Sequence, residues 1–503
     1  MIYIIREYAK KLFYIRKKHP ENIPTNPESF AQKAFEEANT LVAKGHLKES
    51  IMFFEQAIAY IDRTTYHHYK GNAHDRLGEF EEAEKEWKAS MSEDHPHLLE
   101  TISDIIMRLI FRGDRDKAEI WLGKAYEIWK KSFEDSTARG DFKRYLGSDY
   151  SSVIGHACLL DYYIKARILG MSSSKVVPVL VAGVGSNVNS CLINYWRPFL
   201  QVVDDPTGVL TSTETFQRQR DCIGFTVLGA KAHHFWEAWA VVQKEWEAQG
   251  RGPLLRLDEE HANRGRAALR DFLGLKEGDW FVCLHVREPG FHQDQTGLYQ
   301  TTRNADIETY RPAVEKIVRM GGKVIRMGDS SMKPFSMEGV YDYALSPHKS
   351  DWMDVYLCAS CRFFAGTASG LIHLPPLFGT PCALTNWCPL GMRSSYGSDR
   401  FIPKRIWSNI QKRFLTFREM MDAPVHHWQY QRFYDERQMK LVDNEPEEIE
   451  ELVVEMLENT GKEGLSEEQE RFEALAGEKP ECYGISPIGK TFSLRHKELL
   501  ISR

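Results

Sequence analysis

Between Trp280 and Pro381, polar residues gather where short apolar runs stop. WFVCLHVRE ends on Arg287 and Glu288, GGKVIRMGD on Arg326, Gly328 and Asp329, and FFAGTASG on the turn Gly366-Thr367-Ala368-Ser369-Gly370. In an open α/β sheet, ligands bind beyond the carboxyl ends of the strands. Small residues between a strand and a helix let backbone N–H groups approach an anion, and the helix N-terminus adds its positive dipole. Thr367 and Ser369 can donate further hydrogen bonds to phosphate. Arg287 carries a fixed charge suited to neutralising a departing diphosphate. Together these residue types suit an anionic, hydroxyl-rich ligand such as a nucleotide sugar.

Proton transfer needs groups of another kind. Glu288, His292 and Asp294 are candidates for a general base at an acceptor hydroxyl. His285, two residues before Arg287, lies on the same strand face. Arg303, Asn304 and Arg326 can complete a polar ring. The same residues also allow a plainer reading, in which an Arg–Glu pair ties loops together and Asp354 is a helix cap. Gly155 and His156, in VIGHACLLDYYIKARILG, sit at a glycine turn entering a helix and are the candidates on the acceptor side. Cys358 and Cys361 form a CASC pair inside an apolar helical run with no second pair nearby, which favours buried core thiols over a metal or redox site. The histidines do not cluster at metal-ligand spacing, and no DxD-like run stands out. A metal-independent chemistry without a bound cofactor is therefore expected. There is no GxSxG or P-loop sequence to suggest a hydrolase or an NTPase.

The elements that position these residues alternate in type. KVVPVLVAG (Lys175 to Gly183) reads as a buried strand, FTVLG (Phe225 to Gly229) as a weaker one, and His233 to Gly250 as a helix. Asp258 can cap a helix that stops at Gly274, before the strand WFVCLHV. ADIETYRPAVEKIVRMGG is the next helix, with Asp306 near its start and Gly321-Gly322 at its end. KVIRMGD, FFAG and PCALTN read as strands, separated by the helices DWMDVYLCASC and SGLIHLPPLFG. Such alternation predicts parallel, doubly wound sheets. Helices are also expected over Glu445 to Gly461 and Ser466 to Gly477.

The N-terminal third reads differently. Gly45, Gly78 and Gly113 each open the same series: Leu47, Ser50, Phe54, Ala57; then Phe80, Ala83, Trp87, Ser90; then Arg115, Ala118, Leu122, Ala125. The spacing is similar to that of tetratricopeptide repeats, whose concave stacks bind peptides or partner proteins. An irregular helical domain with no partner is the alternative. Before it, residues 1–28 carry a basic amphipathic pattern with Ile4, Tyr8, Leu12 and Ile15 along one face. That suits either an anionic membrane surface or docking on the protein itself.

A chain of 503 residues exceeds one ordinary core. With 42% apolar residues, 27% charged residues and a net charge of −6, it reads as globular and gives no reason to expect nucleic acid. Nine cysteines at irregular spacing suggest a reducing compartment. No apolar run reaches the roughly 20 residues that span a bilayer, and no signal peptide is seen. A cytoplasmic location is expected, either free or peripheral at the inner face of the membrane.

Residues 270–400 resemble a family of bacterial glycosyltransferases in the order of their motifs. HVRE is followed by RNADIxTYxPA (Arg303 to Ala313), VIRMGD, CRFFxGTxSG, FGTP (Phe378 to Pro381) and TNWxPL (Thr385 to Leu390). The layout is more distantly similar to fucosyltransferases whose HxR motif binds a GDP-sugar. The resemblance implies donor contacts at His285, Arg287, Asp354, Thr367 and Ser369. Glu288 stands where the second Arg of the fucosyltransferase motif belongs, so it does not imply GDP-fucose. Taken with the repeat spacing and the alternation of elements, the expected fold is a tetratricopeptide-like domain (29–135) followed by a GT-B unit of two Rossmann-like domains. The acceptor side is 140–260 and the nucleotide-sugar donor side 261–405, with C-terminal helices (406–503) returning towards the first α/β domain. The implied activity moves a sugar to a protein or glycan acceptor. Two alternatives stay open: a catalytically inactive adaptor and a nucleotide-sugar epimerase of the same architecture.

Overall fold

The computed structural model describes residues 26–91, 98–173, 175–183, 189–289, 301–458 and 464–501. Most of the basic segment expected over 1–28 falls outside these residues, as do His292 and Asp294. The chain divides into two compact units, one ending at Arg108 and the other beginning at Leu109.

The first unit is helical. Its helices run Pro27–Ala43, Leu47–Tyr60, Thr64–Leu77 and Phe80–Ala89, with a further helix starting at Leu98. The Asn26 side chain accepts from the Ser29 N–H, and Pro27 opens the first helix without wasting a donor. Gly45 and Gly78 take φ of 79° and 84°, a left-handed conformation that reverses the chain at little cost only for glycine. Leu47, Ser50, Phe54 and Ala57 are all buried, as are Ala83, Trp87 and Ser90. Trp87 shows why small residues alternate with large ones. A Cβ on Gly71 would stand 2.5 Å from its ring, while its Nε1 donates to Asn72 Oδ1 at 3.0 Å. Burying one large apolar side chain stabilises by about 1.5–3 kcal/mol.

The second unit begins with the helix Arg115–Ala138 and then builds two α/β lobes. In the first lobe the strands β1 (Lys143–Leu146), β2 (Val177–Gly183), β3 (Gln201–Asp205) and β4 (Arg220–Asp221) form a parallel sheet in the order β3-β2-β1-β4. FTVLG does not join this sheet. It forms β5 (Phe225–Leu228), paired antiparallel with β6 (Lys231–His234), and the following helix starts at Phe235. The expectation of parallel pairing throughout is corrected at this point, because Gly229 (φ 60°) turns the chain back immediately.

The second lobe holds β7 (Phe281–His285), β8 (Lys323–Arg326), β9 (Val340–Tyr341), β10 (Phe364–Gly366), β11 (Cys382–Trp387) and β12 (Arg400–Pro403). All neighbours are parallel, in the order β12-β11-β10-β7-β8-β9. The chain therefore winds outward from β7 to β9, crosses back, and winds the other way from β10 to β12. The topological switch point lies between β7 and β10. The helix Glu259–Leu273 is capped by Asp258 and ends at Gly274 (φ 65°), and it packs closely on Asp351–Ser360, where Gly265 admits the Tyr356 ring. The helix Pro446–Glu458 packs on Arg311–Arg319 beside β11 and β12.

The lobes meet through specific contacts. Asn189 Nδ2 donates to the Asp351 carbonyl at 2.7 Å, Ser190 N–H to Asp351 Oδ2 at 2.8 Å, and Tyr396 hydroxyl to Asp161 Oδ2 at 3.1 Å. Among the described residues no helix is long and apolar enough to cross a membrane.

Candidate active site

The strand register places the two motif loops side by side. Gly366 at the end of β10 lies opposite His285 at the end of β7. Thr367 N–H donates to the His285 carbonyl at 3.1 Å, and Arg287 N–H donates back to Thr367 Oγ1 at 2.8 Å. Gly366 has φ of 155°, and a Cβ on it would stand 1.9 Å from the His285 oxygen, so this approach requires glycine. A second tie runs from Ala305 N–H to the Arg287 carbonyl at 3.1 Å, which brings the Arg303–Asn304 segment to the same place.

The first lobe reaches this turn as well. A Cβ on Gly155 would stand 2.8 Å from Gly370 Cα, and one on Gly370 would stand 3.1 Å from the Gly155 nitrogen. Gly155 has no room for a side chain and Gly370 has little, so the short helix Ile154–Cys158 starts directly against the Gly366–Gly370 turn. Thr367 is fully buried and Ser369 is buried, whereas Arg287, Arg303 and Asn304 stay half-buried.

Charge at this junction is positive. Burial lowers the proton affinity of the Arg287 guanidinium. Burial, with the Arg287 charge adding to it, pulls Arg303 down to about 9. Cations held where their charged form is disfavoured gain from an incoming anion. Ser369 Oγ and Asn304 Oδ1 are buried without a hydrogen-bond partner among the described residues.

Two histidines here are neutral at pH 7 with an assigned tautomer. His285 Nδ1 donates to the Met327 carbonyl at 3.2 Å, and burial pushes its pKa down to about 4. His156 Nδ1 donates to the Asp149 carbonyl at 2.9 Å, and burial lowers its pKa too. In each ring the Nε2 lone pair is left to accept a proton.

Other predicted residues serve the loops. Arg326 is 0% exposed, and its guanidinium donates to Asp342 at 3.1 Å, to the Lys333 carbonyl at 2.5 Å and to Glu288 at 3.4 Å. The Glu288 carboxylate also accepts from the Lys333 N–H at 3.0 Å. These two residues form the loop-tying Arg–Glu pair, and their charges are taken up within the fold. Asp354 accepts from the Tyr343 hydroxyl at 2.7 Å and from Lys349 at 3.2 Å. Asp329 accepts from the Ser331 N–H, and Gly328 leaves space for Met332. Cys358 and Cys361 are buried thiols, and among the described residues no group of His, Cys, Asp and Glu side chains is placed to hold a metal ion.

Two residues at the junction were not singled out from the sequence. His373 packs against both Trp236 and Trp239, at ring distances of 5.9 and 4.9 Å, and burial followed by the Arg303 charge pushes its pKa down to about 3. Its position one helical turn beyond Gly370 was the available signal. Lys404 Nζ donates to the Asn304 carbonyl at 2.7 Å and to Asp443 at 2.6 Å, a link between distant segments that no local pattern announces.

No family model and no curated protein matches the chain. Its likeness to solved structures is distant. A glycosyl transferase family 9 protein from Veillonella parvula is 11% identical over 48% of this chain and 80% of its own, with a TM-score of 0.30. The ADP-heptose LPS heptosyltransferase II of E. coli is 9% identical over 62% of this chain and 98% of its own, with a TM-score of 0.34. An O-GlcNAc transferase mutant from Thermobaculum terrenum is 11% identical over 98% of this chain and 93% of its own, with a TM-score of 0.25. Likeness at this level carries no residue role across.

Proposed function

We propose that the chain is a glycosyltransferase that moves a sugar from a nucleotide-sugar donor to a protein or glycan acceptor, without a metal ion, across a GT-B pair of lobes. The single observation that supports this most is the switch point between β7 and β10, where open α/β sheets receive their ligands. Arg287 and Arg303 are suited to stabilise the charge that develops on the departing diphosphate, and Ser369 with the Gly366–Gly370 backbone to orient it. The acceptor enters from the Gly155–His156 side, and His156 or His285 accepts the hydroxyl proton at Nε2. The helical unit is read as a tetratricopeptide-like array that recruits the acceptor in the cytoplasm, and the basic N-terminal segment as a contact with anionic membrane.

A thermal-shift screen of nucleotide sugars tests the reading. One donor class should stabilise the protein, because a ligand at about 100 times its Kd adds about 2.7 kcal/mol. Arg287→Ala should lower turnover of that donor by about a hundred-fold. A chain stabilised by no nucleotide sugar would be an adaptor, and epimerised donor formed without acceptor would make it an epimerase.

A further inference from the structure

The first α/β lobe contains a cavity of about 510 Å³, the size of a small-molecule site. None of the strand-end residues described above lines it. One wall is aromatic: Trp129 and Phe133 stack at 5.2 Å with their planes 5° apart, and the Tyr150 and Tyr163 rings continue the surface. Flat apolar walls of this kind take the face of a ring.

The polar groups in the lining are of two sorts. Asp221 is fully engaged. Its Oδ1 accepts from Trp129 Nε1 at 2.8 Å and from Arg144 at 2.7 and 2.9 Å, and its Oδ2 accepts from the Tyr163 hydroxyl at 2.8 Å. The Arg144 guanidinium balances its charge, so the carboxylate presents little negative field to the cavity. Three other polar atoms of the lining are buried without a partner among the described residues. Tyr150 is 0% exposed, and its hydroxyl is buried without a hydrogen-bond partner among the described residues. The same holds for Arg167 Nη1 and Ser172 Oγ. A buried polar atom left unpaired costs about 1–3 kcal/mol, so three around one cavity mark a place a ligand would complete. Arg167 Nη1 can only donate, the hydroxyls can donate too, and Lys175 adds a second cation at the lining.

We infer that this cavity binds a small molecule with an anionic head group, carboxylate or phosphate, carried on a flat ring. The head group meets Arg167, Tyr150 and Ser172, and the ring lies on the aromatic wall. This site is separate from the strand-end junction, and its occupation does not depend on the transferase reading.

Calorimetric titration of the full chain with benzoate and with phenyl phosphate tests it, with benzyl alcohol as the neutral ring and inorganic phosphate as the ringless anion. One or both anionic rings should bind at a single site in the millimolar range expected of such small ligands. Both controls should bind at least about ten-fold more weakly, the size of one charge-assisted hydrogen bond. Arg167→Met should weaken the anionic rings by about ten-fold and leave benzyl alcohol unchanged. Tyr150→Phe and Ser172→Ala remove only unpartnered hydroxyls, so they keep the fold while weakening the same ligands. Whichever of benzoate and phenyl phosphate binds more tightly names the head group, and either supports the site. No saturable binding by either anion, equal binding of benzyl alcohol, or affinity indifferent to all three substitutions would overturn it.

Discussion

Arg287 and Thr367 are joined by a hydrogen bond of 2.8 Å from the Arg287 backbone N–H to the Thr367 hydroxyl, across 80 residues of sequence. With the return bond from Thr367 N–H to the His285 carbonyl, it extends the β7–β10 ladder one step beyond the strands. The geometry of the whole junction rests on that step. Thr367→Val keeps the shape of the buried side chain but leaves the Arg287 N–H without its acceptor. Stability should fall by about 1–3 kcal/mol and the urea midpoint with it. Thr367→Ser should recover most of the loss. Equal midpoints for wild type and Thr367→Val would show that the bond holds nothing in place.

The contact between Gly155 and Gly370 predicts a second effect. Gly155→Ala would put a methyl 2.8 Å from Gly370 Cα, where only backbone can give way. The helix Ile154–Cys158 must then lift from the turn, at about 1–3 kcal/mol by the usual cost of overpacking. A lower Tm should be accompanied by faster proteolysis near residues 150–170. Gly140→Ala offers a contrast, because nothing lies near its Cβ and only its φ of 76° is penalised.

Which parts of this arrangement were legible in the sequence follows from where the information sits. β7, β8, β10 and β11 are apolar runs ended by charged or glycine turns, so local pattern suffices to find them. β1 and β4 are not apolar. KRYL and RD become strands because Arg144, buried to 1% exposure, pairs with Asp221 across 77 residues. A charge at a core position reads as loop until its partner is known. Arg326 is the reverse case: its strand-end position was legible, but Asp342 and the Lys333 carbonyl, which enclose it, lie on a loop whose course no periodicity reveals. The parallel order that creates the switch point required the register, which alternation of elements does not provide.

Arg326 and Arg287 should separate stability from binding. The Arg326 guanidinium is enclosed with Asp342 and Glu288, and Arg326→Met strands two carboxylates with little access to water. Breaking such a buried pair typically costs about 3–5 kcal/mol. Arg287→Met removes a half-buried cation at the strand-end junction, and its main effect should be on binding, with nucleoside-diphosphate affinity dropping by about ten-fold or more. Isothermal titration alongside chemical denaturation measures both. Reversal of the two phenotypes would exchange the roles assigned to the two arginines.

Acid should destabilise the fold through its buried histidines. Burial pushes His285 and His426 down to about 4 and His234 and His373 to about 3, and it lowers His156 and His427 as well. Well above pH 6.5 these rings are neutral in both states and contribute nothing to pH dependence. As pH falls from about 6.5 towards 4, the unfolded chain takes up protons that the folded chain refuses, so stability drops. Four groups act in the opposite sense. His67 is raised by its bond to Glu86, and its stabilisation is present at acid pH and lost as pH rises through its folded pKa. Burial raises Asp399 to about 7 and also raises Asp354 and Glu455, so these three too favour the fold at low pH. Six against four leaves a net loss on acidification. Urea midpoints should fall from pH 7 to pH 5, and His373→Gln should reduce the slope by up to one proton, about 1.4 kcal/mol per pH unit. Midpoints that stay level or rise over that interval would mean that these rings carry protons inside the folded chain.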